Sequence, residues 1–310
     1  MILKCKKSVV AVGGKPKYLG VKNDNLCLTS NELFALKKQP KKVLIIGGSY
    51  IAMETAGFLN GLGSKVVILV RSKILKGFDE ECVNLLVEDM KRRGIEFREG
   101  ELKGGFERVR GGIEANGEVF DEVVLAIGRE PFRDYNTIGL TVNEVGKVRS
   151  VGKMMDTSVK DVYVVGDVME GEDELATVAI EEGRVLMERL YGGGKGKLEG
   201  VVPTTVFTPL EYSCVGMTEM EAREKFEEKV DVYYRRWRSL EEEFGKSEEF
   251  NFVKMVVGKG KLVGMHLIGK KSSEIIQGFT MQINKPMFHN VMGIHPTTAE
   301  GIFRLKARGC

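Results

Sequence analysis

Cysteine is scarce in this sequence. Five occur in 310 residues, at Cys5, Cys27, Cys82, Cys214 and Cys310, an odd number and widely spaced. No pair forms Cys-x-x-Cys, so no disulfide framework is expected, and a reducing, cytoplasmic compartment suits the chain. Histidine is scarcer still, at three, and none has a cysteine close by, which leaves no zinc pattern. No apolar run approaches the ~20 residues of a membrane span. The opening Met1-Ile2-Leu3-Lys4-Cys5-Lys6-Lys7 has no apolar core of the usual ~7–15 residues, so no secretory leader is expected. Excess charge is missing as well: 47 basic residues against 44 acidic leave +3. No basic stripe with interleaved aromatics compensates, which excludes a strongly basic nucleic-acid binder. Repeats, heptad arrays and low-complexity tracts are also absent.

Glycine, by contrast, is abundant: 38 residues, well above the usual ~7% share. Without a Gly-x-y period, that excess points to tight turns and to backbone–ligand contact. At ~100–200 residues per domain, the length suggests two or three domains. The apolar run at 43–46 reads as a fully buried strand, followed by a glycine pair, a helix to about residue 60 and a second buried strand at 66–70. This βαβ unit predicts a parallel, doubly wound α/β sheet. Residues 79–93 read as an amphipathic helix with Asp79 as N-cap, 106–118 as short antiparallel strands, and 123–129 as another buried strand. A second α/β stretch has a strand over 162–167 and a helix over 175–191. From residue 201 the character changes. Strands at 230–237, 252–257 and 262–268, a glycine turn at 258–261 and a helix over 272–283 predict an α+β domain with an antiparallel sheet.

The segment Gly47-x-Ser49-x-x-Ala52 lies between a strand and a helix, as a dinucleotide fingerprint requires. Gly47 permits the tight turn, Ala52 lets the helix lie close, and the helix N-terminus faces a pyrophosphate. Ser49 stands where the second glycine is usual, and a ligand-free strand–turn–helix fits the same residues. At the end of the second strand, where an NAD site normally has an acidic residue, the chain reads Val70-Arg71-Ser72-Lys73, with Lys76 following. Those groups suit a 2′-phosphate and favour NADPH, although surface charges would also read this way. Gly166-Asp167 closes another buried strand, where Asp167 either faces a ligand crevice or caps the next helix. His295-Pro296 precedes an expected helix start at Pro296, and Glu300 could fold back to hold the imidazole tautomer; a lone histidine is as readily structural.

Together and in this order, these segments resemble the large, FAD-dependent thioredoxin reductases, in the group that includes glutathione reductase and dihydrolipoamide dehydrogenase. The resemblance runs over nearly the whole chain. It is carried by Gly47-Gly48-Ser49-Tyr50-Ile51-Ala52-Met53-Glu54, Val70-Arg71-Ser72, Ala126-Ile127-Gly128-Arg129, Val164-Val165-Gly166-Asp167, Phe207-Thr208-Pro209-Leu210-Glu211-Tyr212 and Gly293-Ile294-His295-Pro296. It implies four segments: the end of the first part of an FAD domain (1–38), an NADPH-binding domain (39–129), the second part of the FAD domain (130–198) and a dimerisation domain (199–310). The implied NADPH contacts are Gly47, Ser49, Tyr50, Ile51, Ala52, Glu54, Arg71, Ser72, Lys76, Gly128 and Arg129. The implied FAD contacts are Gly13, Gly166, Asp167, Leu175 and Thr177. His295 would be an acid–base residue paired with Glu300, acting in a homodimer on electrons bound for a thioredoxin-type disulfide protein. A glutathione reductase-like enzyme and a non-catalytic NADP-binding remnant are the alternatives.

The chain also departs from the family pattern. Val12 replaces a threonine, and Ala176-Thr177 stand where Thr-Pro is usual. The FAD fingerprint and the Cys-x4-Cys disulfide that precede this region in the family have no counterpart among these residues, and Cys310 beside Gly309 is ambiguous. Weak FAD binding and little thioredoxin reduction by these 310 residues alone are therefore expected. Tyr233, Tyr234, Phe252 and Met255 are expected to supply the dimer surface.

Overall fold

The computed structural model describes residues 4–132, 138–151, 155–171, 173–194, 200–287 and 291–307. The chain begins with strands β1 (Ser8–Val10) and β2 (Gly14–Pro16) and a short helix α1 (Ser30–Leu33). A βαβ unit follows: β3 (Lys42–Ile46), α2 (Tyr50–Gly61) and β4 (Lys65–Val70), then α3 (Glu80–Arg92) and β5 (Glu96–Glu99). Strands β6 (Glu107–Val109), β7 (Gly112–Ala115) and β8 (Glu118–Phe120) form a ribbon before β9 (Glu122–Leu125). Next come β10 (Arg129–Pro131), β11 (Val162–Val164) and α4 (Ala176–Tyr191). The last third holds β12 (Thr204–Val206), β13 (Glu211–Gly216), α5 (Glu219–Phe226), β14 (Val230–Trp237) and α6 (Leu240–Phe244). It ends with β15 (Asn251–Gly258), β16 (Lys261–Gly269), α7 (Ser272–Thr280) and β17 (Lys306–Ala307).

These elements form two units, Met1–Lys17 with Gly128–Gly200, and Tyr18–Ile127 with Val201–Cys310. In the second, the parallel sheet β5-β4-β3-β9 has apolar residues on both faces, as strands covered on both sides must. Val43, Ile45, Val66 and Ile68 meet Ala52, Met53 and Ala56 of α2 and Leu86 and Met90 of α3. The alternate residues Leu44, Ile46, Val67 and Leu69 meet Phe106, Ile113 and Phe120 of the antiparallel ribbon. Residues 18–38 also pack in this unit. Leu28 bridges Val124 in parallel, and Leu33 enters the core. The seam thus falls between residues 17 and 18, whereas the sequence reading breaks the chain at 38.

The same unit contains a six-stranded sheet in the order β12-β13-β16-β15-β14-β17. Every β15 residue is buried, so its apolar run is that of a central strand. The β15–β16 turn has Lys259 at φ 50° and Gly260 at φ 76°, the two positive values of a type I′ hairpin. Helix α7 ends at Thr280, three residues before its expected end. Helices α5 and α6 are absent from the sequence reading, although each opens on a capping box, Thr218 with Glu221 and Ser239 with Glu242. Their short lengths and acidic composition hide the apolar period on which that reading depends. Two residues expected on a dimer surface are not there. Phe252 and Met255 are buried in the chain's own core, because strand alternation inside a two-faced sheet turns both sides inward.

The first unit pairs β1 with β11 in parallel and β2 with β10 antiparallel. Val185 and Leu186 of α4 pack with Val10, Val164 and Val168. Among the described residues no helix is long and apolar enough to cross a membrane.

Candidate functional site

The turn after β3 is compressed, and only glycine fits it. Gly47 has φ 129°, and a Cβ there would lie 2.2 Å from the Ala126 carbonyl; one at Gly48 would lie 3.1 Å from the Lys73 carbonyl. Ser49 is the N-cap of α2: its hydroxyl donates to the Ala126 carbonyl at 2.9 Å and accepts from the Ala52 N–H at 3.4 Å. A serine in the second glycine position therefore ties the turn to the end of β9. Ala52 is fully buried, as close helix–strand packing demands. Ile51 packs against the core, and Tyr50 is partly exposed at the first helical position. Glu54 does something the sequence does not reveal. Its carboxylate accepts the Phe207 N–H at 2.8 Å, and burial pushes its carboxyl up from the usual range. Three residues along α2, a Cβ at Gly57 would meet Pro209 at 2.7 Å, so α2 lies directly on the Phe207-Thr208-Pro209 segment.

Beyond β4 the chain folds back onto this turn. The Leu75 N–H donates to the Gly48 carbonyl at 2.7 Å, and the Phe78 N–H to Leu75 at 3.0 Å. Arg71, Ser72, Lys73 and Lys76 remain exposed on the loop. Arg71, 77% exposed in its side chain, has one loose ion pair, with Glu101 at 3.7 Å. A helix N-terminus beside two lysines, an arginine and a serine hydroxyl is a donor set for a nucleotide carrying several phosphate charges. These residues fit the nucleotide.

Where the loop ends, a buried polar cluster joins it to the antiparallel sheet. Asp79 caps α3 and also receives the Lys254 ammonium, at 2.9 and 3.0 Å. Lys254 reaches Glu81 at 2.9 Å and Glu219 at 2.7 Å as well. The Asp79 N–H donates to the Tyr212 hydroxyl at 3.3 Å. That hydroxyl lies 3.0 Å from His266 Nδ1, while His266 Nε2 lies 3.1 Å from the Met217 carbonyl. A carbonyl only accepts, so Nε2 carries the proton and the Tyr212 O–H donates to Nδ1. Burial lowers the His266 pKa, in keeping with a neutral ring. Burial alone would push the Asp79 carboxyl up, but the Lys254 ammonium and the Glu219 N–H hold it down and the net shift is downward. Burial opposes the charge on Lys254, yet the carboxylates Glu219 and Asp79 carry its pKa above the ordinary value. The sequence signal for this cluster is a charged or polar residue inside an apolar strand: Lys254 in Phe252-Val253-Lys254-Met255-Val256, and His266 in Met265-His266-Leu267.

In the first unit, Gly166 has φ 74° and its N–H donates to the buried Glu182 at 2.5 Å. Asp167 lies on the 3-10 turn Gly166–Val168, and among the described residues no donor meets its carboxylate. Helix α4 starts with Leu175 as N-cap and no side-chain cap bond, leaving Thr177 exposed on its first turn. A free carboxylate and an uncapped helix N-terminus fit a polyhydroxyl chain and its polar ring edge. Gly13 has φ 63° and open space around it. Gly128 and Arg129 also belong to this unit, where the Arg129 guanidinium donates to the Gly14 carbonyl.

His295 and Glu300 come together. The imidazole Nδ1 lies 3.0 and 3.2 Å from the two carboxylate oxygens, so Nδ1 is the protonated nitrogen. The geometry relies on small residues. A Cβ at Gly293 would lie 2.7 Å from the Glu300 Cα, and one at Gly301 2.2 Å from the Trp237 ring. The 3-10 turn starts at Thr298, with Thr297 as N-cap. Pro296 precedes the turn and does not open it. Trp237, absent from the sequence reading as a site residue, supports this turn through its indole N–H to the Thr298 carbonyl at 3.2 Å. Replacing Gly301 by alanine should therefore push Trp237 aside, at about 1–3 kcal/mol of stability. Trp237 is the chain's single tryptophan, so its fluorescence emission should shift along with a lowered melting midpoint; unchanged emission would contradict this packing.

The cysteines form no redox centre among the described residues. Cys27 and Cys82 are buried, Cys214 is partly so and Cys5 is exposed; all four are free. Burial pushes the Cys27 and Cys214 thiols up to about 12, and Cys82 well above its ordinary value, conditions under which thiols are inert. Cys310 lies outside the described residues. No group of three metal-ligating side chains occurs among those residues.

The profile of the pyridine nucleotide-disulphide oxidoreductase family matches residues 2–183, and the profile of that family's dimerisation domain matches residues 202–305. A curated relative, thioredoxin reductase SEP1 of Emiliania huxleyi, is 33% identical over 331 residues, covering 96% of this chain and 66% of that protein. The chain thus spans just under two thirds of that relative's length.

Proposed function

The chain belongs to the pyridine nucleotide-disulphide oxidoreductase family, and from that premise we propose that it works as a thioredoxin reductase-like flavoprotein using NADPH and FAD. Bound together, these cofactors supply hydride and electron transfer; the chain's residues supply binding, orientation and a proton. The turn at Gly47 and Ser49 and the α2 N-terminus hold the pyrophosphate, with Tyr50 beside it. Arg71, Ser72 and Lys76 hold the 2′-phosphate. Asp167 accepts hydroxyl donors of the flavin side chain, next to Thr177 at the α4 N-terminus. Glu300 fixes the His295 tautomer, so that Nε2 can pass a proton to a leaving thiolate of a thioredoxin-type disulfide protein.

A homodimer built through the dimerisation domain suits the exposed apolar residues around His295. Met292 is 93% exposed and Ile294 78%, more than a lone surface segment needs. The free cysteines are in keeping with a cytoplasmic setting.

The observation that carries the reading is the exposed basic loop after β4, folded onto the glycine turn through the Leu75–Gly48 hydrogen bond. The experiment is titration of the chain with NADPH and NADH, followed by nicotinamide fluorescence. NADPH should bind at least about tenfold more tightly, the value of one charge-assisted phosphate contact. Equal affinities would overturn the reading. A second reading, a non-catalytic NADP-binding dimer, is favoured by the buried, unreactive cysteines. NADPH oxidation that requires both added FAD and thioredoxin would exclude it.

A further inference from the structure

The loop with Arg71, Ser72 and Lys76 is anchored at three places. It leaves β4 at Val70, touches the glycine turn through Leu75 and Gly48, and ends at Asp79. The first two anchors belong to the nucleotide-binding domain itself. The third comes from the dimerisation domain: Lys254 of β15 grips Asp79 with both carboxylate oxygens in reach, and Tyr212 of β13 accepts the Asp79 N–H. The Phe78 ring also packs on Tyr212, with centroids 5.6 Å apart. A lysine 3% exposed in the middle of an apolar strand is costly to desolvate, and well-packed apolar side chains commonly do as well or better for stability alone. Stability therefore does not explain its presence. Its geometric effect is local: α3 holds this loop end through its N-cap, and Lys254 adds a second hold on the same carboxylate from the dimerisation domain.

Resting on the NADPH reading above, we infer that Lys254, through Asp79, is a positioning residue for the 2′-phosphate, and that the dimerisation domain thereby sets the nucleotide preference of its neighbour. Lys76 stands three residues before Asp79, so a shift of the Asp79 end moves its ammonium directly. The pyrophosphate end depends on Gly47, Ser49 and the α2 N-terminus, which remain tied to Ala126 whatever happens at Lys254. Loss of Lys254 therefore weakens recognition of one phosphate and spares the other.

The test uses two probes, adenosine 2′,5′-bisphosphate and adenosine 5′-monophosphate, titrated calorimetrically into the whole chain. The variants are Lys254→Met, the charge-neutral pair Asp79→Asn with Lys254→Met, and Tyr212→Phe, which removes only the hydroxyl. Far-UV circular dichroism shows which variants fold, and Tyr212→Phe provides the reading if the others do not. In every folded variant the bisphosphate should bind at least about threefold more weakly, the scale of coupling through a packed network, with monophosphate affinity unchanged. The inference is overturned by folded variants that keep the wild-type ratio of the two affinities, or that lose both equally as a general structural defect would. Wild-type protein that binds both probes alike overturns the NADPH reading itself, and this inference with it.

Discussion

Replacing Lys254 by alanine is expected to lower folding stability by about 3–5 kcal/mol, the cost of removing one partner from a buried ion pair. The ammonium neutralises Asp79, Glu81 and Glu219 from a position that is itself almost fully enclosed. Without it, the Asp79 carboxylate, 3% exposed, stays among like charges with only the backbone N–H groups of Cys82 and Glu219 to satisfy it. Asp79 also caps α3, so strain at that carboxylate reaches the helix start. The combined change Asp79→Asn with Lys254→Met removes the most deeply buried pair of charges, leaving the more exposed Glu81 and Glu219 carboxylates, and should recover part of the loss. Chemical denaturation of the three proteins decides the matter: a single variant as stable as the double would show that Lys254 is not the neutralising group.

The second large effect is on nucleotide choice. Arg71→Glu should cost NADPH about 1.5–3 kcal/mol of binding, tenfold or more in affinity, by removing a hydrogen bond to a charged group. The structure adds a reason for the upper end of that range. Glu101 already lies 3.7 Å from the Arg71 guanidinium, so the new carboxylate would form a like-charged pair at the proposed 2′-phosphate site. NADH has no phosphate there, and its affinity should hold. Titrating the variant with both nucleotides measures the ratio; an unchanged preference would remove Arg71 from the site.

What could be read from the sequence followed the range of the interactions. The β3–α2–β4 unit was legible because buried parallel strands and a glycine turn leave a local signature, and Asp79 was legible as a cap for the same reason. The pairing of His295 with Glu300 spans five residues, and its geometry follows from one turn of chain. Contacts across long stretches of sequence were not legible. Glu54 meets the Phe207 N–H, and Lys254 meets Asp79, through partners that only the packed fold brings together. Nothing in Glu54 itself distinguishes a side chain spent on a backbone N–H from one available to a nucleotide. Phe252 and Met255 misled for a related reason: an apolar side chain reads the same whether it meets a second subunit or the other face of its own sheet.

The two-residue strand Lys306–Ala307 has a consequence for the behaviour of the protein in concentrated solution. It pairs with Tyr233 and Tyr234 of β14, the longest strand that would otherwise lie at an edge of the six-stranded sheet. An eight-residue edge with two tyrosines and a tryptophan offers unpaired backbone groups and sticky side chains to any passing strand. The tail occupies the middle of that edge, and the turn beneath Trp237 blocks one end. The opposite edge, β12, is only three residues long. The sheet is therefore shielded against growth by strand addition at both margins, by a short strand on one side and a returning tail on the other.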